Sequence, residues 1–483
     1  MKNILVFIGV LLLGSTLWAQ KPGYEIKVTF KPFKNQYIYL GYYNGAQLPI
    51  KDSVKLNENS EAVFKGAQAL GGGIYFIGYP SRDRFFEFLL DKDQHFSIIA
   101  DTMDMEHKKF INSPDNDLFV AYQRVMTEKG IARSLLTKRL AATTSPNDSA
   151  AIHKSIAYID SGIMVYRKEL IKKNPESFLS LFLRLMSEPE VPENPLTKDQ
   201  PGYDSLFAYH YMKQHYWDGL NFWDGRLTRT PSVLFEDRVD KYFKTMVYYH
   251  PDSVIKEIDH MMAYAAASED MTKTLLLKFV NRYIRQQYMW EDAVFVHLYE
   301  KYFANTTHNW LNEQGRKTIT DRAYSLMANI MGKPAENMIL PDKNGKKTEL
   351  YQVKAPYTMV IFYDPLCGHC KEVIPKIDSA YKASLRADGL QIYAVAKEAE
   401  GTKKDWLAFI EKNVLQGWQN VFYSKDEEKS RTDNGIPGYS QLYDVQSFPT
   451  IYLLDKDKRI IAKKLAWEQM INILEQRKKT GTN

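Results

Sequence analysis

The chain has 483 residues, 45% of them apolar and 25% charged, with 64 Lys and Arg against 58 Asp and Glu. At about 150 residues per domain this length predicts roughly three domains, and the composition is that of folded globular protein, which excludes wholesale disorder, collagen and a multi-span membrane protein. The net charge of +6 has both signs interleaved along the chain and lacks the clustered basic stripe that a nucleic-acid partner requires.

Residues 1–19 read as a secretory signal. Lys2 supplies the positive start, residues 4–13 an apolar core, and Thr16-Leu17-Trp18-Ala19 a cleavage site before Gln20. The apolar run is too short to span a bilayer, and no other run of 18 apolar residues follows. The mature chain is therefore expected to lack an integral membrane span and to work in the periplasm or cell envelope, where disulfides persist. Leu17 and Trp18 are poor cleavage residues, so an uncleaved anchor is the alternative.

Over residues 20–114 the apolar period is two. Tyr24, Ile26, Val28 and Phe30 alternate with polar residues, and further short runs cover 37–43, 62–64, 74–79, 85–90 and 96–100. Turn residues separate them, including Asn44-Gly45 and Gly71-Gly72-Gly73. This spacing predicts an antiparallel β-sandwich. From 115 to 330 the period becomes 3.6, and a mostly α-helical domain is expected. Ser113-Pro114-Asp115, Asn174-Pro175-Glu176 and His250-Pro251-Asp252 read as helix starts, with Asn174 as an N-cap. A tandem echo, Tyr216-Trp217-Asp218-Gly219 and Phe222-Trp223-Asp224-Gly225, fits either a sugar platform or helix-packing aromatics with Asp caps. A boundary falls at Met331-Gly332-Lys333-Pro334. Over 331–483 strands alternate with helices, which predicts an α/β domain with helices on both faces of one sheet.

Cys367 and Cys370 are the two cysteines of the chain, in Pro365-Leu366-Cys367-Gly368-His369-Cys370. Closing so short a loop constrains the unfolded chain very little, so a stabilising staple is a poor explanation. Structural zinc needs further ligands, and neither a second CxxC nor an HExxH is present. Covalent haem needs His directly after the second Cys, where Lys371 stands. Neither a metal nor a cofactor is expected. Dithiol–disulfide exchange remains. Strand, sharp turn and helix would place Cys367 at a helix N-terminus, where free N–H groups stabilise a thiolate, with Cys370 one turn in and within bonding range. His369 beside the thiolate would favour the reduced form.

These residues carry a resemblance. Residues 333–483 resemble thioredoxin-like proteins, especially exported thiol–disulfide reductases of the cytochrome-maturation type. The likeness rests on Lys333-Pro334-Ala335, on Phe362-Tyr363-Asp364-Pro365-Leu366 running into the CGHC, on Pro375 in the helix after it, and on Ser447-Phe448-Pro449-Thr450 before a strand. The resemblance implies that Cys367 is the nucleophile and Cys370 the resolving thiol. It also implies that Pro449 is cis, and that Phe448 and Pro449 lie against the CxxC and dock substrate. Gly368 and His369 would tune the pair. The partners implied are protein disulfides and an envelope thiol or electron donor.

Two positions depart from the pattern. Ile361 stands where thioredoxin has a buried Asp, and Val373 where the cytochrome-maturation branch has a buried Glu. Glu372 and Asp364 are the carboxylates left as proton-relay candidates. The upstream segments resemble two domains of unknown function that precede thioredoxin domains in Bacteroidota envelope proteins, and they imply no activity. Two other functions remain open. A thiol peroxidase would share the fold but needs Thr or Ser three residues before the reactive Cys, where Asp364 stands. The other is an envelope binding or scaffold protein carrying the domain.

Overall fold

The computed structural model describes residues 23–480. The segment read as a secretory signal lies outside them. The described chain packs as two compact units. One reaches to Met246 and includes Tyr264–Thr272; the other comprises Val247–Ala263 and the chain from Lys273 onward. The helical segment is thus shared between them.

The first unit opens with strands β1 (Tyr24–Lys31), β2 (Tyr37–Tyr42), β3 (Ile50–Lys55), β4 (Glu61–Gly66), β5 (Gly73–Gly78), β6 (Phe85–Leu90), β7 (His95–Asp101) and β8 (Lys109–Ile111). They form two four-stranded sheets, ordered β4-β1-β7-β8 and β3-β2-β5-β6. The inward residues of both, among them Ile26, Val28 and Phe30 against Ile38, Ile77 and Phe88, make one core. The sandwich is not wholly antiparallel, because β1 and β7 pair in parallel. The intervening chain crosses to the other sheet and returns, which supplies the long connection a parallel pair needs. Strand β3 escaped the periodicity reading because it is an edge strand carrying Lys51, Asp52 and Lys55, as edge strands do to resist foreign pairing.

Helices α1 (Pro114–Ala142), α2 (Pro146–Lys173), α3 (Phe178–Leu185), α4 (Phe207–His215) and α5 (Phe235–Thr245) follow. Ser113-Pro114 starts α1 as expected. Asn174 does not start a helix: it ends α2, and the Ser177 hydroxyl caps α3 by accepting from the Ser180 N–H at 3.1 Å. Of the tandem aromatics, Tyr216, Trp217 and Phe222 interlock around Tyr242 and neighbouring rings, and Asp224 caps the next turn through the Arg226 N–H. These rings pack and Asp224 caps, whereas Trp223 is 49% exposed and lies against Tyr264.

The second unit contains α6 (Pro251–Ala265, ending in the first unit), α7 (Glu269–Tyr283, starting there), α8 (Glu291–Tyr302) and α9 (Glu313–Met327). The sheet domain follows: β9 (Ile339–Pro341), β10 (Lys347–Glu349), β11 (Tyr357–Tyr363), α10 (Gly368–Ala380), β12 (Leu390–Lys397), α11 (Lys403–Asn413), β13 (Gln419–Tyr423), α12 (Lys425–Asp433), α13 (Tyr439–Leu442), β14 (Thr450–Leu454), β15 (Ile460–Lys463) and α14 (Trp467–Thr480). Five strands form the order β13-β12-β11-β14-β15, with β11 central and parallel to β12 and β12 parallel to β13. Every residue of β11 is buried, as a covered central strand requires. Met359, Ile361 and Tyr363 face a core with α10, α11 and α14, while Val360 and Phe362 face a second core with Tyr393, Tyr443 and Tyr452.

One expectation needs adjusting here. The second face is covered mainly by tyrosines, the β9–β10 hairpin and the single-turn α13, rather than by long helices. The polar stretch after β13 is helix α12, capped by Ser424, although every one of its residues is charged or polar.

A buried polar network ties α8 and α9 to this sheet. Lys463, on the last strand, pairs with Asp292 of α8 and donates to the Asn329 side-chain oxygen at 2.8 Å. Arg322 of α9 donates to Asp444 at 2.7 Å, and Lys464 pairs with the other Asp444 oxygen. Burial works against the Asp444 carboxylate, but Lys464 and Arg322 outweigh it and hold its pKa down at about 2. Such a group contributes stability above its unfolded pKa near 4 and loses it as pH falls through the folded value. Equilibrium unfolding of the protein is therefore expected to lose about 2 kcal/mol between roughly pH 4 and pH 2, and Asp444→Asn to remove that part of the pH dependence. An unchanged acid limb in the variant would refute it.

Candidate active site

Strand β11 delivers the chain to a tight loop, Asp364-Pro365-Leu366, and α10 begins directly after it. Asp364 is buried and acts as the loop's clamp. One carboxylate oxygen accepts the Leu366 N–H at 2.7 Å, and the other accepts the Glu400 and Gly401 N–H groups at 2.7 and 3.1 Å. Its backbone carbonyl accepts the Cys367 N–H at 3.2 Å. Gly401 allows this close approach, because a Cβ there would lie 2.5 Å from the Pro365 ring. Glycine at that point is a packing requirement.

Cys367 is the N-cap residue of α10 and is partly exposed, whereas Cys370, one turn in, is fully buried; the two are not bridged. Burial pushes the Cys370 thiol well above its ordinary range, and neighbouring Cys367 adds to the effect. The Cys367 sulfur donates to the Phe448 carbonyl at 3.7 Å, and the Phe448–Pro449 peptide is cis. The structure thus brings together Cys367, Cys370, Phe448 and Pro449 as expected. Gly368 and His369 are exposed on the first turn of α10, and Glu372 is exposed on the turn after it. Ile361 and Val373 are both buried among apolar side chains, so neither acid of the related patterns has a substitute at its own place. Of the two relay candidates, Asp364 has both oxygens occupied by backbone donors and Glu372 stands in solvent.

Beside the cis loop lies a groove of about 1070 Å³. One side consists of His369, Glu372, Phe448 and Pro449. The other comes from the turn between α7 and α8, with Tyr288 and Met289. Spacing in the sequence does not disclose this second side. Met289 packs against the same core as Cys370, and its sulfur accepts the Lys463 N–H of β15 at 3.2 Å. The helical segment thereby covers a backbone group on an edge strand of the sheet. Among the described residues no cluster of His, Cys, Asp or Glu suits a metal ion, and no helix is long and apolar enough to cross a membrane.

A parallel-cored sheet with a CxxC at the N-terminus of its first long helix, facing a cis-proline loop, defines a thioredoxin-like thiol–disulfide oxidoreductase. The family-model match and the curated relative agree. Residues 331–463 match the AhpC/TSA family and residues 167–329 match a domain of unknown function, DUF5106. The C-terminal segment is a thioredoxin-like domain of the AhpC/TSA family, with DUF5106 upstream of it. The chain is 27% identical over 133 residues to the thiol-disulfide oxidoreductase ResA of Bacillus cereus, covering 28% of this chain and 68% of that protein. It is 36% identical to a solved domain of a possible thiol-disulfide isomerase from Cytophaga hutchinsonii, covering 31% of this chain and 95% of that one, with a TM-score of 0.27. A thioredoxin-like protein from Bacteroides caccae, 19% identical, covers 60% of this chain and 98% of its own, with a TM-score of 0.43.

Proposed function

We propose that this protein is an exported protein-disulfide reductase. The observation that carries the reading is the unequal pair: a partly exposed Cys367 sulfur at the start of α10, on the Phe448 carbonyl, with a fully buried Cys370 one turn behind. The Cys367 thiolate attacks one sulfur of a substrate disulfide. A Cys367–substrate S–S bond forms, the substrate S–S bond breaks, and the released sulfur takes a proton. Cys370 then loses its proton and attacks the Cys367 sulfur. The internal disulfide forms and the second substrate sulfur leaves as a thiol. Two electrons and two protons pass to the substrate, and an envelope thiol donor must return them. Phe448 and Pro449 dock the substrate backbone, and Gly368 and His369 set the potential. The assignment of 20–114, 115–330 and 331–483 as separate functional domains is part of the same proposal, as is export directed by residues 1–19.

Turbidimetric insulin reduction with dithiothreitol tests it: the protein should accelerate precipitation and should not consume hydrogen peroxide. Peroxide turnover without disulfide reduction would move the chain to the peroxidases, and inertness in both assays would leave a binding or scaffold role. Asp364, held by three backbone donors, occupies the place where a peroxidase needs a hydroxyl.

The buried resolving thiol predicts a pH signature. Cys370 must be deprotonated to attack, and burial raises its pKa, so resolution of the mixed disulfide should quicken with pH, roughly tenfold per unit over about pH 6–8. Acid-quench measurement of the intermediate's lifetime checks this, and a flat profile would mean that a nearby base relieves Cys370 of its proton.

A further inference from the structure

The groove beside the cis loop is walled on one side by residues outside the thioredoxin-like domain. Those residues, 284–292, belong to the same compact unit as the redox site and are fixed to it at two points. Met289 sits on the redox core and accepts from the Lys463 N–H, and Asp292 pairs with the Lys463 side chain. The turn cannot shift without disturbing the sheet. What it presents to the groove is mixed: the Tyr288 ring and Met289 beside the polar Arg285, Gln286 and Gln287. Tyr288 is 51% exposed and lies parallel to Trp290 at 6.0 Å, with Tyr249 at 6.0 Å on another side. Leu465, two residues before α14, and Trp467, its first residue, line the groove with it.

An aromatic ring held rigidly in solvent beside a reactive sulfur asks for an occupant. The groove's volume is at the upper end of what a small-molecule site offers. Phe448 and Pro449 line it, and the Cys367 sulfur rests on the Phe448 carbonyl, so a polypeptide bonded to that sulfur passes beside the groove. A small disulfide would leave it empty. A polypeptide segment next to a target cysteine, carrying an apolar side chain, would fill it and cover Tyr288, Leu465 and Trp467.

We propose that the α7–α8 turn is the substrate-reading wall of this enzyme. In this role Tyr288 and its neighbours receive an apolar side chain adjacent to the target cysteine of a protein disulfide. The proposal rests on the oxidoreductase reading and adds the class of substrate and the part of the chain that selects it.

The test compares two substrates on the full chain: a disulfide-bonded peptide with Phe or Leu beside its cysteine, and Ellman's reagent, a small aromatic disulfide without a peptide backbone. The readout is the ratio of their kcat/KM values. Tyr288→Ala, an exposed position, should lower the peptide-to-reagent ratio roughly tenfold, mainly through KM. Tyr248→Ala, an exposed tyrosine that does not line the groove, should leave the ratio at its wild-type value. Replacing the peptide's apolar residue with Asp should reproduce the loss in the wild type. An unchanged ratio in Tyr288→Ala overturns the proposal while the oxidoreductase reading stands. A wild type that reduces neither substrate overturns both. Concentration-dependent dimers that Tyr288→Ala dissolves would assign the face to a second copy of the chain and likewise overturn it.

Discussion

Cys367→Ser should abolish disulfide reduction, by about a thousandfold or more, while Cys370→Ser should stop turnover yet accumulate covalent complexes with substrate proteins. The asymmetry follows from the two environments. Cys367 is the sulfur that reaches solvent and the cis-loop carbonyl, so without it no first bond can form. Cys370 is closed off at the base of α10, and its task begins after the first bond exists. Residues acting as one unit are non-additive: either loss stops the cycle and the double variant is no worse for turnover. The discriminating measurement is capture. Cys370→Ser purified from its own cell envelope should carry partners that dithiothreitol releases, and the Cys367→Ser/Cys370→Ser double variant should carry none. Absence of trapped proteins in the single variant, or capture by the double variant, would count against the assignment of roles. The captured set would also identify physiological substrates and, by their redox state, the direction of electron flow.

Asp292→Ala should destabilise the second compact unit by about 3–5 kcal/mol, among the largest effects of any single replacement outside the sheet core. The pair it forms with Lys463 is nearly sealed from water, with side chains 1% and 4% exposed. Burial pushes the Asp292 pKa up and the Lys463 pKa down, in each case toward the neutral form, against the attraction between them. The pair is therefore a poor source of net stability, but each half is costly to leave alone. Removing the carboxylate strands an ammonium whose other partners are the Asn329 carbonyl and side-chain oxygen. The double variant Asp292→Leu/Lys463→Met should recover most of the loss, because apolar replacement of a whole buried pair is often close to neutral. Denaturant midpoints for the three variants decide the matter. A loss under about 1 kcal/mol for Asp292→Ala would mean that water reaches the pair.

The same network shows where reading from residues succeeds and where it stops. The strands of both sheets were legible where apolar residues alternate, as in β1, or run together, as in β11, because side-chain period reports which faces are buried. Edge strand β3 and helix α12 were not, since their residues are polar and their conformation is set by a neighbouring strand or by a cap. Asn174 misled because Asn suits either end of a helix, and only the Ser177 hydroxyl decides where α3 begins.

The redox chemistry depends on residues close together in the chain, and it was readable there. A CxxC after a strand, with a helix following, leaves few alternatives once zinc and haem are excluded by their missing ligands. The residues themselves therefore made the dithiol and its helix terminus legible, while the prolyl loop was legible only through the family resemblance. Tertiary structure decided the rest: that Asp364 clamps the loop to the Glu400 and Gly401 N–H groups, and that Tyr288 and Met289 line one groove with the cis loop. These are relations between residues far apart in the chain, Asp292 and Lys463 being separated by 171 positions. Local propensity carries no information over such a distance; only close packing of the helices on the sheet brings those groups within reach.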